Sequence, residues 1–172
     1  EAVEVLAANV DDAKLMAGGQ SLTPMLNFRV VRPALIIDIS RLLELEYVRE
    51  RNDGGLTIGA LTRHRILETS ALVANRFPVI PETMRNVAHL AIRNRGTIGG
   101  SLSHADPAAE LPMLSRLLDA VIVARSVRGE REIPASKFFV APLTTALDDD
   151  EIVVRVELPG LPAGMGWCFQ EF

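Results

Sequence analysis

AIRNRGTIGGSLSHADPAAELP, residues 91–112, is the stretch on which the reading of this 172-residue chain turns. It sets Gly96, Gly99 and Gly100 among Thr97, Ser101 and Ser103, and follows them with Asp106 and Glu110. It neither alternates like a strand nor repeats like a helix. Glycines beside hydroxyls mark a backbone that approaches another body closely, and runs of backbone N–H make concavities for anions. A second segment of the same character, Ala17-Gly18-Gly19-Gln20-Ser21-Leu22, lies near the N-terminus. Two such loops in one chain point to a long phosphorylated ligand held at two places.

Composition narrows the classes. Hydrophobic residues make up 48% and mean hydropathy is +0.21, so a sizeable core can be buried. The net charge of −4, from 18 basic and 22 acidic residues, argues against nucleic acid as the main partner. Cys168 is the one cysteine, which excludes an internal disulfide and a multi-cysteine metal site. Set in Gly166-Trp167-Cys168-Phe169, it reads as a small buried hydrophobe. No apolar run approaches the roughly 18 residues needed to span a bilayer, and no signal peptide is visible. The expectation is a cytoplasmic protein. The chain opens on Glu1 in what reads as the inside of a helix, so a preceding segment is expected to be missing.

Patterning gives the order of elements. Val3–Asn9 reads as a helix, Lys14–Ala17 as a strand feeding the Gly-Gly turn, and Ser21–Arg29 as a helix capped by Ser21. Ala34–Ile39 reads as a strand buried on both faces. Strand–loop–helix–strand implies a small parallel α/β lobe. Leu45–Arg51 and Leu56–Ala60 flank Asn52-Asp53-Gly54-Gly55, a hairpin signal. Thr62 and Ser70 read as caps of two short helices, and the spacing of Ile80, Met84, Val87 and Ala91 predicts one amphipathic helix over Pro78–Leu90. Asp106-Pro107 reads as a helix start, with Pro112 marking a kink or an irregular first turn. Ala120–Ser126, Arg131–Pro134 and Ile152–Leu158 read as strands, and Met165–Phe172 as the start of another. The second half is therefore an antiparallel sheet with helices.

The chemistry-bearing residues are few. The chain has no GxxxxGK[ST], and Lys14 and Lys137, its two lysines, stand far from both glycine loops. No GxGxxG follows a strand. Phosphate binding and ordinary turns both fit the two loops. Asp106 and Glu110, four apart, fit three roles: cap and dipole partner, acceptors from ligand hydroxyls, or an acid/base pair. His64, His89 and His104 have no partner at metal-ligand spacing. Arg93 and Arg95 flank the suspicious loop, as surface residues or ligand contacts. No nucleophile or general base stands out, which leaves any chemistry to a bound cofactor.

Three stretches, AGGQSL at 17–22, LTIGALTR at 56–63 and TIGGSLSHADPAAELP at 97–112, resemble the FAD-binding subunit of molybdenum hydroxylases. FFVAPLTTALDDDEIVVRVELP at 138–159 extends the resemblance through nearly the whole chain. That family includes the medium subunit of carbon monoxide dehydrogenase and the flavin domain of xanthine dehydrogenase. The resemblance implies an α+β, two-lobed FAD-binding domain of the vanillyl-alcohol-oxidase type. A small N-terminal α/β lobe (residues 1–55) would pack on a larger lobe with an antiparallel sheet (56–172). The family's C-terminal lobe is expected to be absent, and a basic residue common near position 170 is Gln170 here.

By the same resemblance, FAD would lie extended between the lobes. Ala17, Gly18, Gly19, Gln20, Ser21 and Leu22 would hold the diphosphate through backbone N–H groups. Thr97, Ile98, Gly99, Gly100 and Ser101 would form a second clamp. Asp106 or Glu110 would contact cofactor hydroxyls, and Ile152 or Val153 would pack near the isoalloxazine ring. No side chain is expected to act as a catalytic acid or base, and no metal is expected. The implied role is electron transfer. Electrons would come from a molybdenum-cofactor large subunit through a 2Fe-2S small subunit to FAD, and leave for an external acceptor. The alternatives are a self-contained FAD oxidoreductase and a flavin-free structural subunit. The paired glycines argue against the latter.

Overall fold

Apolar side chains at helix and strand periods bury two clusters, and these organise the chain. A computed structural model describes residues 1–171; Phe172 lies outside the described residues. The first elements are α1 (Ala2–Ala7), β1 (Ala13–Met16), α2 (Leu22–Asn27) and β2 (Leu35–Asp38). β1 and β2 pair in parallel, Ala13 opposite Leu35 and Met16 opposite Asp38, with α2 in the connection. The smaller cluster, with Leu6, Ala13 and Ile39, lies under this unit. β2 is not buried on both faces as its sequence predicts: Ile36 and Asp38 are exposed. A two-stranded sheet covered on one side leaves alternate residues in water.

The hairpin β3 (Val48–Glu50) and β4 (Leu56–Gly59) opens the larger unit. Five helices follow: α3 (His64–Thr69), α4 (Ala71–Arg76), α5 (Val79–Met84), α6 (Leu90–Arg93) and α7 (Ile98–His104). Then come α8 (Glu110–Leu117), β5 (Val121–Ser126), β6 (Gly129–Pro134) and α9 (Ala135–Phe138). A small hairpin, β7 (Phe139–Ala141) with β8 (Thr144–Thr145), precedes β9 (Ile152–Leu158). The large sheet is antiparallel in the order β3-β4-β9-β5-β6. One face packs on the helices. Leu56, Ile58, Leu67, Phe77, Met84, Leu102, Ile122, Phe138 and Val156 have no exposed surface there.

Several local expectations need correction. Thr62 caps nothing. Its hydroxyl donates to the Tyr47 carbonyl (2.8 Å) and accepts from the Tyr47 N–H (3.1 Å), while Arg63 takes the cap position of α3. Ser70 does cap α4, accepting from the Val73 N–H. The helix over 78–90 is broken: α5 ends at Met84, Ala88 has φ +44°, and α6 begins at Leu90. The Arg93 guanidinium donates to the Val87 and Ala88 carbonyls (2.8 and 2.9 Å) and so replaces the helical bonds this break removes. Arg93 also pairs with Glu68 at 2.9 Å, a structural role. Pro112 is the third residue of α8, where its missing N–H is no loss. Residues 165–171 form no strand, and Trp167 and Cys168 are exposed rather than buried.

Phe77 fills the centre of the helix–sheet interface. Phe77→Ala should lower stability by about 3–5 kcal/mol through lost burial and the cavity left behind. Urea denaturation reads this as a lower midpoint with unchanged slope.

Candidate functional site

The carboxyl end of β1, the start of α7 and the start of β9 converge on a cleft of about 670 Å³. Ala17 to Leu22 line one side; Thr97, Gly99, Gly100, Ser101 and Asp106 line the other. Ile152 and Val153 form an apolar wall. This size falls within the roughly 300–1,000 Å³ range of cofactor sites.

The first loop is built to present backbone donors. Met16 ends β1, and α2 begins at Leu22. Among the described residues, the N–H groups of Gly18, Gly19, Gln20, Ser21 and Leu22 find no acceptor in the protein. Gly19 sits at φ +72°, a left-handed turn of the kind from which backbone nests for anions are built. The Gln20 amide donates to the Gly18 carbonyl (2.9 Å) and braces the turn. Ser21 occupies the cap position of α2, yet its hydroxyl caps nothing. Gly18 answers a different need. A Cβ there would lie 2.0 Å from the Arg95 carbonyl oxygen, so the two loops touch backbone to backbone.

The second loop differs from its sequence reading. TIGGSLSH, expected as irregular, is the cap and body of α7, with Thr97 as N-cap. Its N–H groups are engaged. Ile98 donates to the Thr62 carbonyl (3.0 Å), Gly99 to the Ala60 carbonyl (2.8 Å), Gly100 to the Thr97 hydroxyl (3.1 Å) and Ser101 to the Thr97 carbonyl (3.0 Å). This segment offers the cleft a flat, small-residue surface and the Ser101 hydroxyl, not free N–H groups. The two glycines are unlike. A Cβ on Gly99 would fall 2.7 Å from the Ala60 Cβ and 2.8 Å from its carbonyl oxygen. A Cβ on Gly100 would meet only the Thr97 hydroxyl (2.8 Å), with the Ala17 Cβ at 4.0 Å. Ile98 does not reach the cleft: its side chain belongs to the core.

The two carboxylates separate. Ala105, at φ +50°, ends α7 in a left-handed turn. Asp106 does not cap α8 and shares no helix face with Glu110, since α8 starts only at Glu110, after Ala109. The Asp106 carboxylate accepts from the Ala108 N–H (2.9 Å) in a local turn and lines the cleft. Glu110 lies outside the lining, in the first turn of α8, where the helix dipole favours it. Burial, with Glu171 and Asp106 nearby, raises its pKa.

Ile152 and Val153 both reach the wall. The β9 register slips opposite Val123/Ala124, so Val154 is an extra residue, and its carbonyl accepts from the Ala60 N–H (3.0 Å). Such a bulge re-aims neighbouring side chains.

Several lining residues escaped the sequence, His64 and Glu151 among them. His64, the first residue of α3, is only 7% exposed. Its Nε2–H donates to the Thr97 carbonyl (3.1 Å); Nδ1 is buried and, among the described residues, has no partner. Burial lowers its pKa and favours the neutral ring. Its ring faces Gly96, where a Cβ would come within 2.9 Å. The sequence signal was only a histidine opening a helix. Arg95 contributes backbone here: its carbonyl meets Gly18 and accepts from the Arg63 guanidinium (2.5 Å). Among the described residues, no cluster of histidine, cysteine and acidic residues could hold a metal, and no helix is long and apolar enough to cross a membrane.

Residues 1–161 match the model of the FAD binding domain in molybdopterin dehydrogenase. The chain belongs to this family. It is 48% identical over 171 residues to the 6-hydroxypseudooxynicotine dehydrogenase complex subunit alpha of Paenarthrobacter nicotinovorans, covering 99% of this chain and 57% of that protein. The structure superposes on carbon monoxide dehydrogenase from Hydrogenophaga pseudoflava with TM-score 0.96 at 38% identity, covering 99% of this chain and 59% of that one. Quinoline 2-oxidoreductase from Pseudomonas putida 86 gives TM-score 0.90 at 41% identity, over 94% and 56%. The chain thus spans somewhat over half the length of these relatives. Membership makes FAD the cofactor, and the two-loop cleft in a mixed α/β fold accords with the fold expected from the sequence.

Two outcomes follow from this geometry. Gly99→Ala should destabilise the protein by about 1–3 kcal/mol through overpacking against Ala60, whereas Gly100→Ala should cost less; thermal melts compare them. His64 sets a pH dependence. Its folded pKa lies below the unfolded value of about 6.5, so the unfolded chain takes up the proton first. Stability from this group is full above about pH 6.5 and declines as the pH falls below it. In His64→Gln this decline should vanish between about pH 6.5 and 5.5; an unchanged slope in urea titrations would contradict the assignment.

Proposed function

We propose that this chain holds FAD extended across the cleft and acts as the electron-transfer flavoprotein part of a molybdenum-containing hydroxylase. The observation that carries the reading is the row of unpartnered N–H groups from Gly18 to Leu22, residues that line a cleft of about 670 Å³. Five free donors beside a positive-φ glycine suit a diphosphate, and Lys14 lines the same cleft. Gly100 and Ser101 give the opposite surface, open enough for close approach of the cofactor. Asp106, at the cleft while Glu110 is not, is our choice for accepting hydrogen bonds from cofactor hydroxyls. Ile152 and Val153 supply an apolar wall against which an isoalloxazine ring can pack and be shielded from water.

FAD, when bound, supplies one- and two-electron redox chemistry. The chain's own residues bind it, orient it and exclude solvent. None is required as an acid or base, in keeping with a site whose one buried titratable ring, His64, is held neutral. The complex around it is inferred from the relatives. Carbon monoxide dehydrogenase medium chain and xanthine dehydrogenase FAD-binding subunit are the names of two of them. We infer a molybdenum-cofactor large subunit and a 2Fe-2S small subunit as partners, an external electron acceptor, and a cytoplasmic location. We also read the chain as two lobes, the β1–β2 unit and the unit built on the five-stranded sheet, with Leu61 and Ile152 of the second packing into the smaller cluster.

Purified protein reconstituted with FAD should show flavin absorbance and quenched flavin fluorescence. Gly100→Val, which intrudes on the cleft without touching the sheet, should fold and bind FAD at least about tenfold more weakly, roughly 1.4 kcal/mol. A folded Gly100→Val protein with unchanged affinity overturns the placement of FAD against this helix.

A further inference from the structure

Immediately before the apolar wall, the sequence Asp148-Asp149-Asp150-Glu151 packs four carboxylates into one turn. Like charges so close repel, and Asp148 and Asp149 face water. Glu151 does not: its side chain is only 3% exposed, and it lines the cleft. Its two oxygens are held by a two-pronged contact from Arg131 on β6, Nε to Oε1 at 2.6 Å and Nη2 to Oε2 at 2.7 Å. The Asp148 N–H adds a third bond to Oε2 at 2.8 Å, and Arg131 Nη2 also donates to the Ala146 carbonyl at 2.7 Å. One guanidinium from the sheet edge therefore fixes both ends of the 146–151 turn. Arg128, from the same hairpin, holds Asp150 (2.6 Å) and Asp148 (3.0 Å) on the outside.

Stability alone is a weak reason for such a pair. Burying a carboxylate costs desolvation that its partner does little more than offset, and apolar residues of similar size serve a core as well or better. What the pair adds is geometry. A bidentate guanidinium–carboxylate contact fixes both distance and plane. The residue it fixes is covalently joined to Ile152 and, through it, to Val153. Resting on the FAD reading above, we propose that Arg131 and Glu151 are positioning residues: their clamp sets where the Ile152–Val153 wall stands against the flavin ring. Neither needs to touch the reacting atoms. Arg131 acts through Glu151, and Glu151 acts through the backbone of β9.

The test uses the full chain loaded with FAD. Glu151→Gln keeps the shape but places an amide donor against the guanidinium. Arg131→Lys keeps the charge and loses the fork. Arg125→Gln, which removes an exposed partner of Glu130 on the same hairpin, is the control. Three quantities are read: FAD affinity by quenching of flavin fluorescence, the visible circular dichroism of the bound flavin, and the melting of the FAD-free protein. Arg131→Lys and Glu151→Gln should each weaken FAD about tenfold and alter the flavin circular dichroism, while Arg125→Gln leaves both unchanged. A general loss of stability would lower the melting point without altering the spectrum of the flavin that remains bound. If Glu151→Gln does not fold, Arg131→Lys decides. Wild-type affinity and an unaltered flavin spectrum in either folded variant overturn the clamp and leave the FAD reading standing. A wild-type chain that takes up no FAD overturns both.

Discussion

Ala60 is the junction on which the site depends. It directly follows β4, and both of its backbone groups are committed. Its N–H donates to Val154 on β9, and its carbonyl accepts from Gly99 on α7. The helix reaches that carbonyl only because Gly99 has no Cβ; with one, the Ala60 Cβ would lie 2.7 Å away. One residue thus locks the apolar wall of the cleft to the helix that faces it. The contact continues outward. Thr97 caps that helix, its carbonyl holds His64, and the preceding Arg95–Gly96 backbone presses on Gly18. The first loop is positioned by the second through main-chain contact, so the cleft width is set by glycines rather than by flexible side chains.

This arrangement divides labour between the glycine loops. Residues 98–101 spend their N–H groups internally and act as a rigid surface. Residues 18–22 leave theirs without a protein acceptor among the described residues, which is what the proposed donor role requires. A buried backbone donor without a partner is costly. In a part-open cleft, water or a ligand can satisfy these groups, and an anionic ligand does so best. The large sheet matters to function mainly because it is stiff. Its helix-covered face is closely packed, its central strand β9 runs straight into the cleft wall, and the bulge at Val154 turns Ile152 and Val153 toward the cavity.

The sequence made much of this legible. Alternation in Ile152–Leu158, the Asn52–Gly55 turn and the Lys14–Ala17 run into Gly-Gly each named their element because local chemistry and tertiary structure agree there. The two loops stood out because glycine is uncommon inside regular structure. Four things were hidden, each for a physical reason. The Ile98–His104 helix carries two glycines near its start, which lowers its propensity; packing against Ala60 overrides that. The break at Ala88 depends on Arg93 reaching back to two carbonyls, which no local window contains. What surrounds a glycine is also non-local: Gly18 and Gly99 are pressed by protein backbone, whereas a Cβ on Gly100 would meet closely only the Thr97 hydroxyl. The separation of Asp106 from Glu110 follows from the left-handed turn at Ala105, a conformation that alanine does not advertise.

The central claim is that the backbone donors of residues 18–22 receive the diphosphate of FAD. Amide hydrogen exchange, resolved by residue with and without FAD, tests it most directly. Strong protection of the Gly18 to Leu22 amides is expected on FAD binding, with little change at Ile98 to Ser101, whose hydrogen bonds are already made. FAD binding that leaves the 18–22 amides exchanging as in the free protein would contradict it.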